Sequence, residues 1–413
     1  MLRRILEVVV GLVVVAAVAL SATLLRPMAL PRVTVVEPPR DQRLLCSSPL
    51  PGTLYARAED ALVLALLPND GSDRTAPLIE TVPASPLTVR GVLPSGGVFV
   101  PGPAQAFVDC QQPASSGLIQ VLDASTTSLL ITNPDSTDAA VDLSLYGPEG
   151  ERLALGSRGV VVGPQRTRTI ALSVLAGQPG PLSVSYTTSR GRVAITAASQ
   201  GGPAAVPMQA AERHLIPGIA AGRPSRLLLS NPGTERATAE VYVLGAHARL
   251  QPAGGSGVSI PAGASLMIDL TAGIAGEAAA LEVVADRAVG ATLVAGTAGS
   301  LNPASAGGEL RAFGPGGGQV QLSNPGEAEL TATLTTVVGD EQGVESTLVV
   351  PGGTTVTQVL PEGAGVQVSV SAPGPLVGAL VYAGELSVAA IPFLASPEKD
   401  PEPITAELVP TLR

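Results

Sequence analysis

The sequence predicts an all-β chain of tandem immunoglobulin-like β-sandwich units that follow a single N-terminal transmembrane helix. Three observations predict it: short alternating apolar runs bounded by Gly and Pro, an internal repeat of about 90 residues, and one apolar segment from Val8 to Leu25. Of 413 residues, 47 are Gly and 38 are Pro, spread between Val- and Leu-rich runs in the manner of turns. Aromatic residues make up 2% and Trp is absent, so the cores must be filled by Val, Leu, Ile and Ala, which favours several small cores over one large one.

The chain divides accordingly. Residues 1–26 are read as a short stub and the transmembrane helix, a signal anchor. Residues 27–43 are a linker and 44–113 a divergent, disulfide-closed β unit. Three sandwich repeats follow at 114–203, 204–299 and 300–395, and 396–413 form a loosely ordered tail rich in Pro and charge.

Val8–Leu25 contains only Ser21 and Thr23 as polar side chains, and as a helix it would span roughly 27 Å, enough for a bilayer core. Ala19-Leu20-Ser21 offers a cleavage-like site. The length of the run exceeds an ordinary signal-peptide core, so the uncleaved anchor is the preferred reading. Arg26, Arg32, Arg40 and Arg43 outnumber Arg3 and Arg4, which is the wrong asymmetry for a cytoplasmic N-terminus. Export of the C-terminal part is nevertheless expected from the cysteines and the β-rich composition. Both cysteines, Cys46 and Cys110, lie beyond the apolar run. An even pair in an oxidising compartment reads as one disulfide, against two buried free thiols.

The repeat is clearest in three stretches, which begin at Leu118, Leu215 and Leu310. Each holds an apolar strand, a turn, a second strand and then Asn-Pro: Asn133-Pro134, Asn231-Pro232 and Asn324-Pro325. Proline holds the preceding residue extended and removes a ladder donor, so the strand should end there, and the Asn side chain should cap the turn. Four further blocks recur after each pair: an alternating strand, a strand ending at Pro or Gly-Pro, a strand leading into the unit's second half, and two strands that close the unit. Leu44-Leu45-Cys46-Ser47-Ser48 is aligned with the same block, which puts Ser48 in the Asn place of the first unit.

The apolar N-terminal segment, the pair Cys46 and Cys110 around the first unit, and the strand-Asn-Pro blocks together resemble an uncharacterised family of actinobacterial membrane-anchored envelope proteins. The resemblance covers nearly the whole chain. Members of such families often carry Trp before a unit's first strand, where this chain has Leu118, Leu215 and Leu310. The resemblance implies an envelope location and carries over no catalytic residue.

Little in the sequence carries chemistry. His214 and His247 stand apart from one another and from the cysteines, which does not suit metal ligation. No Gly-x-Ser-x-Gly elbow is present, and Lys399 is the only lysine, which disfavours a Ser-Lys dyad. Gly314–Gly318 lacks the Lys-Ser/Thr of a phosphate loop. The acidic turns at Asn69 and Asp135 lack Ca²⁺-loop spacing, and the neighbours Glu149 and Glu151 are ordinary surface acids. Tyr146 and Tyr242 fall within strands and not on a sugar-binding platform. A net charge of −10 with no basic segment argues against nucleic acid as a partner.

The expectation is therefore a non-enzymatic scaffold or protein-interaction protein without a cofactor. It would sit in the cell membrane by a single pass, with its C-terminal domains extracytoplasmic. Its partners would be the membrane, through the N-terminal helix, and envelope proteins or cell-wall components. A glycan-binding or hydrolytic cell-wall module with a dispersed site is the alternative, and a subunit that pairs through exposed strand edges is a third reading.

Overall fold

The computed structural model describes residues 33–35, 41–395 and 404–406, apart from 69, 70, 72, 76, 200–203, 275, 297, 298 and 340. The segment read as a transmembrane helix lies outside the described residues, among which no helix is long and apolar enough to cross a membrane. The chain separates into a body, Pro39–Pro397, and a small unit made of its two ends. In the small unit Val33–Val35 pairs antiparallel with Ile404–Ala406. The linker and the loosely ordered tail are thus corrected in part: each donates a short strand in which β-branched residues favour the extended chain.

The body contains four β-sandwiches of one topology. In the second, eight strand positions run Ser116–Val121, Thr127–Asn133, Ala139–Gly147, the split edge Gly150–Arg152 and Val160–Val162, Arg166–Ala171, Leu182–Arg190, Ala194–Ser199 and Ala204–Ala205. Numbered in that order, they pair as sheets 1-6-3-4 and 5-2-7-8. The third and fourth sandwiches repeat this order, but their sixth and seventh positions are one long strand, Ala279–Ala295 or Val366–Ala383, that leaves one sheet and enters the other. Alternation puts Ile119, Leu129, Ile131, Val141, Leu143, Val184 and Ile195 on the two inner faces of the second sandwich, where they form one core. Equivalent aliphatic cores fill the others.

Three expectations need correction. An immunoglobulin domain keeps its first two strands in one sheet. Here the first and second strands lie in opposite sheets in all four units, so the sandwich has a different strand order. The first unit also has this order, from Asp41–Cys46 through Ala106–Asp109, so it begins before residue 44. Ser48 follows that unit's first strand, not its second, and does not stand where the asparagines stand. Its hydroxyl instead folds the local turn, donating to the Leu50 carbonyl at 2.6 Å.

The four sandwiches are joined in a closed cycle. First meets second through Gln111, whose Nε2 donates to Thr196 Oγ1 at 3.1 Å. Second meets third where Ser265 Oγ donates to the Tyr146 carbonyl at 2.9 Å. Third meets fourth where Gln321 Nε2 donates to the Ile219 carbonyl at 3.0 Å. Gly218 lies in that last contact with φ +100, and a Cβ there would stand 2.7 Å from the Ala390 methyl, so the close approach requires glycine. The fourth sandwich then returns to the first. Ser387 Oγ donates to the Gln105 carbonyl at 2.6 Å, and the Leu386 amide donates to the Pro103 carbonyl at 2.9 Å. Phe107 enters the fourth sandwich's core, and the rings of Phe99 and Tyr382 pack edge-on at 5.3 Å.

Candidate functional site: a cleft shared by four sandwiches

The recurrent asparagines form the same device three times. Asn133 and Asn231 end the second strand of their units, Asn324 follows directly on the third example, and all three are buried. The Asn133 Oδ1 accepts from the Asp135 amide at 3.0 Å, and its Nδ2 donates to the carbonyls of Thr137 at 2.7 Å and Val162 at 3.0 Å. Asn231 repeats this with the Gly233 amide and the carbonyls of Glu235 and Ile260. Asn324 does so with the Gly326 amide and the carbonyls of Ala328 and Val350. Val162 and Ile260 end the edge of the opposite sheet, just before the chain crosses over, and Val350 stands at the same point. Each Asn therefore pins one sheet to the other, besides closing its own turn. Pro134, Pro232 and Pro325 follow and let the chain leave the ladder without an unpaired N–H.

Cys46 and Cys110 form a disulfide with their α-carbons 4.2 Å apart. Cys46 ends the first strand and Cys110 follows the eighth, so the bond staples the two sheets of the first sandwich.

At the centre of the cycle lies a cleft of about 1020 Å³, walled by residues of every sandwich. The first contributes Arg57, Glu59, Phe107 and Asp109, and the second Tyr186. Arg213 and His214 come from the third, and Arg311, Phe313 and Ile391 from the fourth. Both ends of the body meet it, since Gln42 and Leu44 lie in the wall together with Leu394 and Ala395.

The charges in this wall differ in how well they are matched. Arg213 shares the buried carboxylate of Glu282 with Arg249, at 2.7 Å and 3.0 Å. Arg311 lies 3.9 Å from Glu59. Arg57 ends the second strand of the first sandwich, and its Nη1 is buried without a hydrogen-bond partner. Burial lowers the Arg57 pKa, the Arg311 charge lowers it further, and Glu59 partly offsets them. Asp109 borders both the cleft and a smaller cavity of about 50 Å³ behind it, and burial pushes its carboxyl up to about 7. Burial likewise raises the Tyr186 phenol to about 12.

His214 is buried in the cleft wall. Its Nε2 donates to the Val289 carbonyl at 2.6 Å, and burial lowers its pKa, so it serves as a neutral structural donor. His247 is exposed, 3.9 Å from Glu277. Asp135 is occupied by Arg192 at 3.1 Å, and Asn69 lies outside the described residues. In the Gly314–Gly318 turn the Gly316 and Gly317 amides donate to the carbonyls of Gly363 and Pro361. Tyr146 packs between sandwiches with Leu118 and Met208, and Tyr242 carries the Arg249 guanidinium 3.6 Å above its ring. Of the charged and aromatic residues named in the cleft wall, sequence reading singled out only His214, and that as a residue unsuited to metal ligation. A pointer was available in the aromatics, six of nine of which fall in the first and last units: Tyr55, Phe99, Phe107, Phe313, Tyr382 and Phe393.

These features define an all-β protein of four like sandwiches closed around a shared cleft. Residues 102–305 match the model of a family of unknown function, DUF5719, a span that holds the last strand of the first sandwich and every strand of the second and third. No curated protein and no solved structure matches the chain.

Proposed function

We propose that the protein is a non-enzymatic binding scaffold of the cell envelope, held to the membrane by Val8–Leu25 with its sandwiches outside, and that the shared cleft is where its partner is held. The observation that carries this reading is the cleft itself, which exists only because the first sandwich closes on the fourth. Its size and its mixture of apolar wall and few charged groups are those of a binding site. The Cys46–Cys110 bond suits an oxidising compartment. Photo-crosslinking amino acids placed at Gln209 and Ser305 on the cleft wall, and at Leu155 far from it, would test the reading in intact cells. Capture of one species from both cleft positions and not from Leu155 is expected. Capture confined to Leu155, or no capture at all, would end the proposal. An alkaline phosphatase fusion after Ala395 should be active, and an inactive one would overturn export.

A second reading, a hydrolytic module, is favoured by one observation: Asp109 is held near neutrality as an acid beside a cleft that also contains Glu59. Release of sugars from purified cell wall by the wild type, and its loss in Asp109→Asn, would select it over the scaffold.

A further inference from the structure

Arg57 is the charge in the cleft that the protein leaves least matched. Its Nη1 is buried without a partner, whereas the guanidinium of Arg213 is met by Glu282 and that of Arg311 by Glu59. A second cation, Arg311, stands near enough to act on it, and Glu59 offsets the two unfavourable effects only in part. The remaining carboxyl of this region, Asp109, carries only part of a charge at neutral pH. Around these groups the wall is apolar, with Phe107, Phe313 and Ile391. A partly desolvated guanidinium beside another is costly unless an anion reaches it, and a carboxylate matches its fork in geometry and charge.

We propose that Arg57 is the anion-binding residue of the cleft, and that the ligand is a single carboxylate carried on an apolar body. This rests on the cleft being the binding site. The carboxylate can come from the free end of a peptide or from a fatty acid, and both present the same group to Arg57.

Because the chain contains no Trp, fluorescence of a Trp-bearing probe reports the probe alone. The test titrates the full chain into N-acetyl-Trp-Leu-Val with a free carboxylate and into its C-terminal amide, then adds dodecanoate or dodecanol as competitors. The acid is expected to bind at least tenfold more tightly than the amide. That advantage should vanish in Arg57→Gln and return in part in Arg57→Lys. Displacement by dodecanoate but not by dodecanol would assign a fatty acid, and no displacement would assign a peptide end. Equal binding of acid and amide to the wild type overturns the proposal without reference to any variant's folding. An acid advantage that survives in Arg57→Gln overturns it as well. Failure of every carboxylate probe, with the Gln209 and Ser305 crosslinks intact, would refute the carboxylate and leave the cleft. Loss of both would refute the cleft.

Discussion

The Tyr55 hydroxyl donates to the Ala364 carbonyl at 3.1 Å, joining two residues 309 positions apart in the chain. Tyr55 also packs edge-on against Phe313 at 5.7 Å, so the first sandwich is fastened to the fourth by both a polar and an apolar contact. A linear repeat array would place these units furthest apart. Here they are neighbours, and the cleft depends on it.

Phe107→Ala should therefore be felt in a sandwich that Phe107 does not belong to. Its ring is buried in the fourth unit's core, and its removal should cost about 3 kcal/mol. Hydrogen exchange should accelerate in Val366–Ala383 while Thr127–Asn133 stays protected. Acceleration limited to residues 41–109 would mean that the cycle is open in solution.

The Cys46–Cys110 bond closes a span of 64 residues. In the loop-entropy model, Cys46→Ser with Cys110→Ser should cost about 4 kcal/mol by freeing the unfolded chain. Denaturant melts of the double variant against the wild type would measure it. Because the first sandwich also forms one wall of the cleft, any ligand affinity should fall with it.

Asp109 gives the fold a pH dependence. Its folded pKa is raised to about 7 from 3.8. Between those values the folded protein keeps a proton that the unfolded chain has lost, so stability falls as pH rises through this window and is level above it. Asp109→Asn removes that loss. Its melting temperature relative to the wild type should be higher at pH 8 than at pH 4.5. An equal difference at both pH values would show that the carboxyl titrates normally.

What could be read from the sequence was local. The strand blocks around Leu118, Leu215 and Leu310 were legible because alternation and Gly/Pro turns act within a few residues. The repeat spacing was legible too. The separations from each Asn to Val162, Ile260 and Val350 are 29, 29 and 26, and those three residues supply the carbonyls that the asparagines bind. Ser48 was misplaced because the first unit's second strand ends without an Asn. There Asp60 Oδ1 accepts from the Val92 amide at 2.7 Å instead. The cycle, the cleft and Arg57 were not legible. Alternation states which residues face a core, but not which outer faces of distant units meet.

The last prediction concerns Asn231, which makes three hydrogen bonds from a buried position. Its Oδ1 satisfies the Gly233 amide at 3.0 Å, and its Nδ2 reaches the Glu235 carbonyl at 2.7 Å and the Ile260 carbonyl at 3.1 Å. Asn231→Ala abolishes all three and strands partners that water reaches poorly. At about 1 kcal/mol for each net bond, the loss should be about 2–3 kcal/mol, more than a cap that served only its own turn. Asn231→Asp keeps the acceptor for Gly233 but turns an oxygen towards two carbonyls. It should therefore be at least as damaging as Ala while the new carboxylate is ionised, and should recover on acidification as the carboxyl becomes a donor. The contrast matters, because a simple turn cap would tolerate Asp well. Urea melts of both variants at pH 4 and pH 7 would decide it: Asp close to wild type at pH 7 would show that the bond across the sheets to Ile260 contributes nothing, and that the Asn acts on its turn alone.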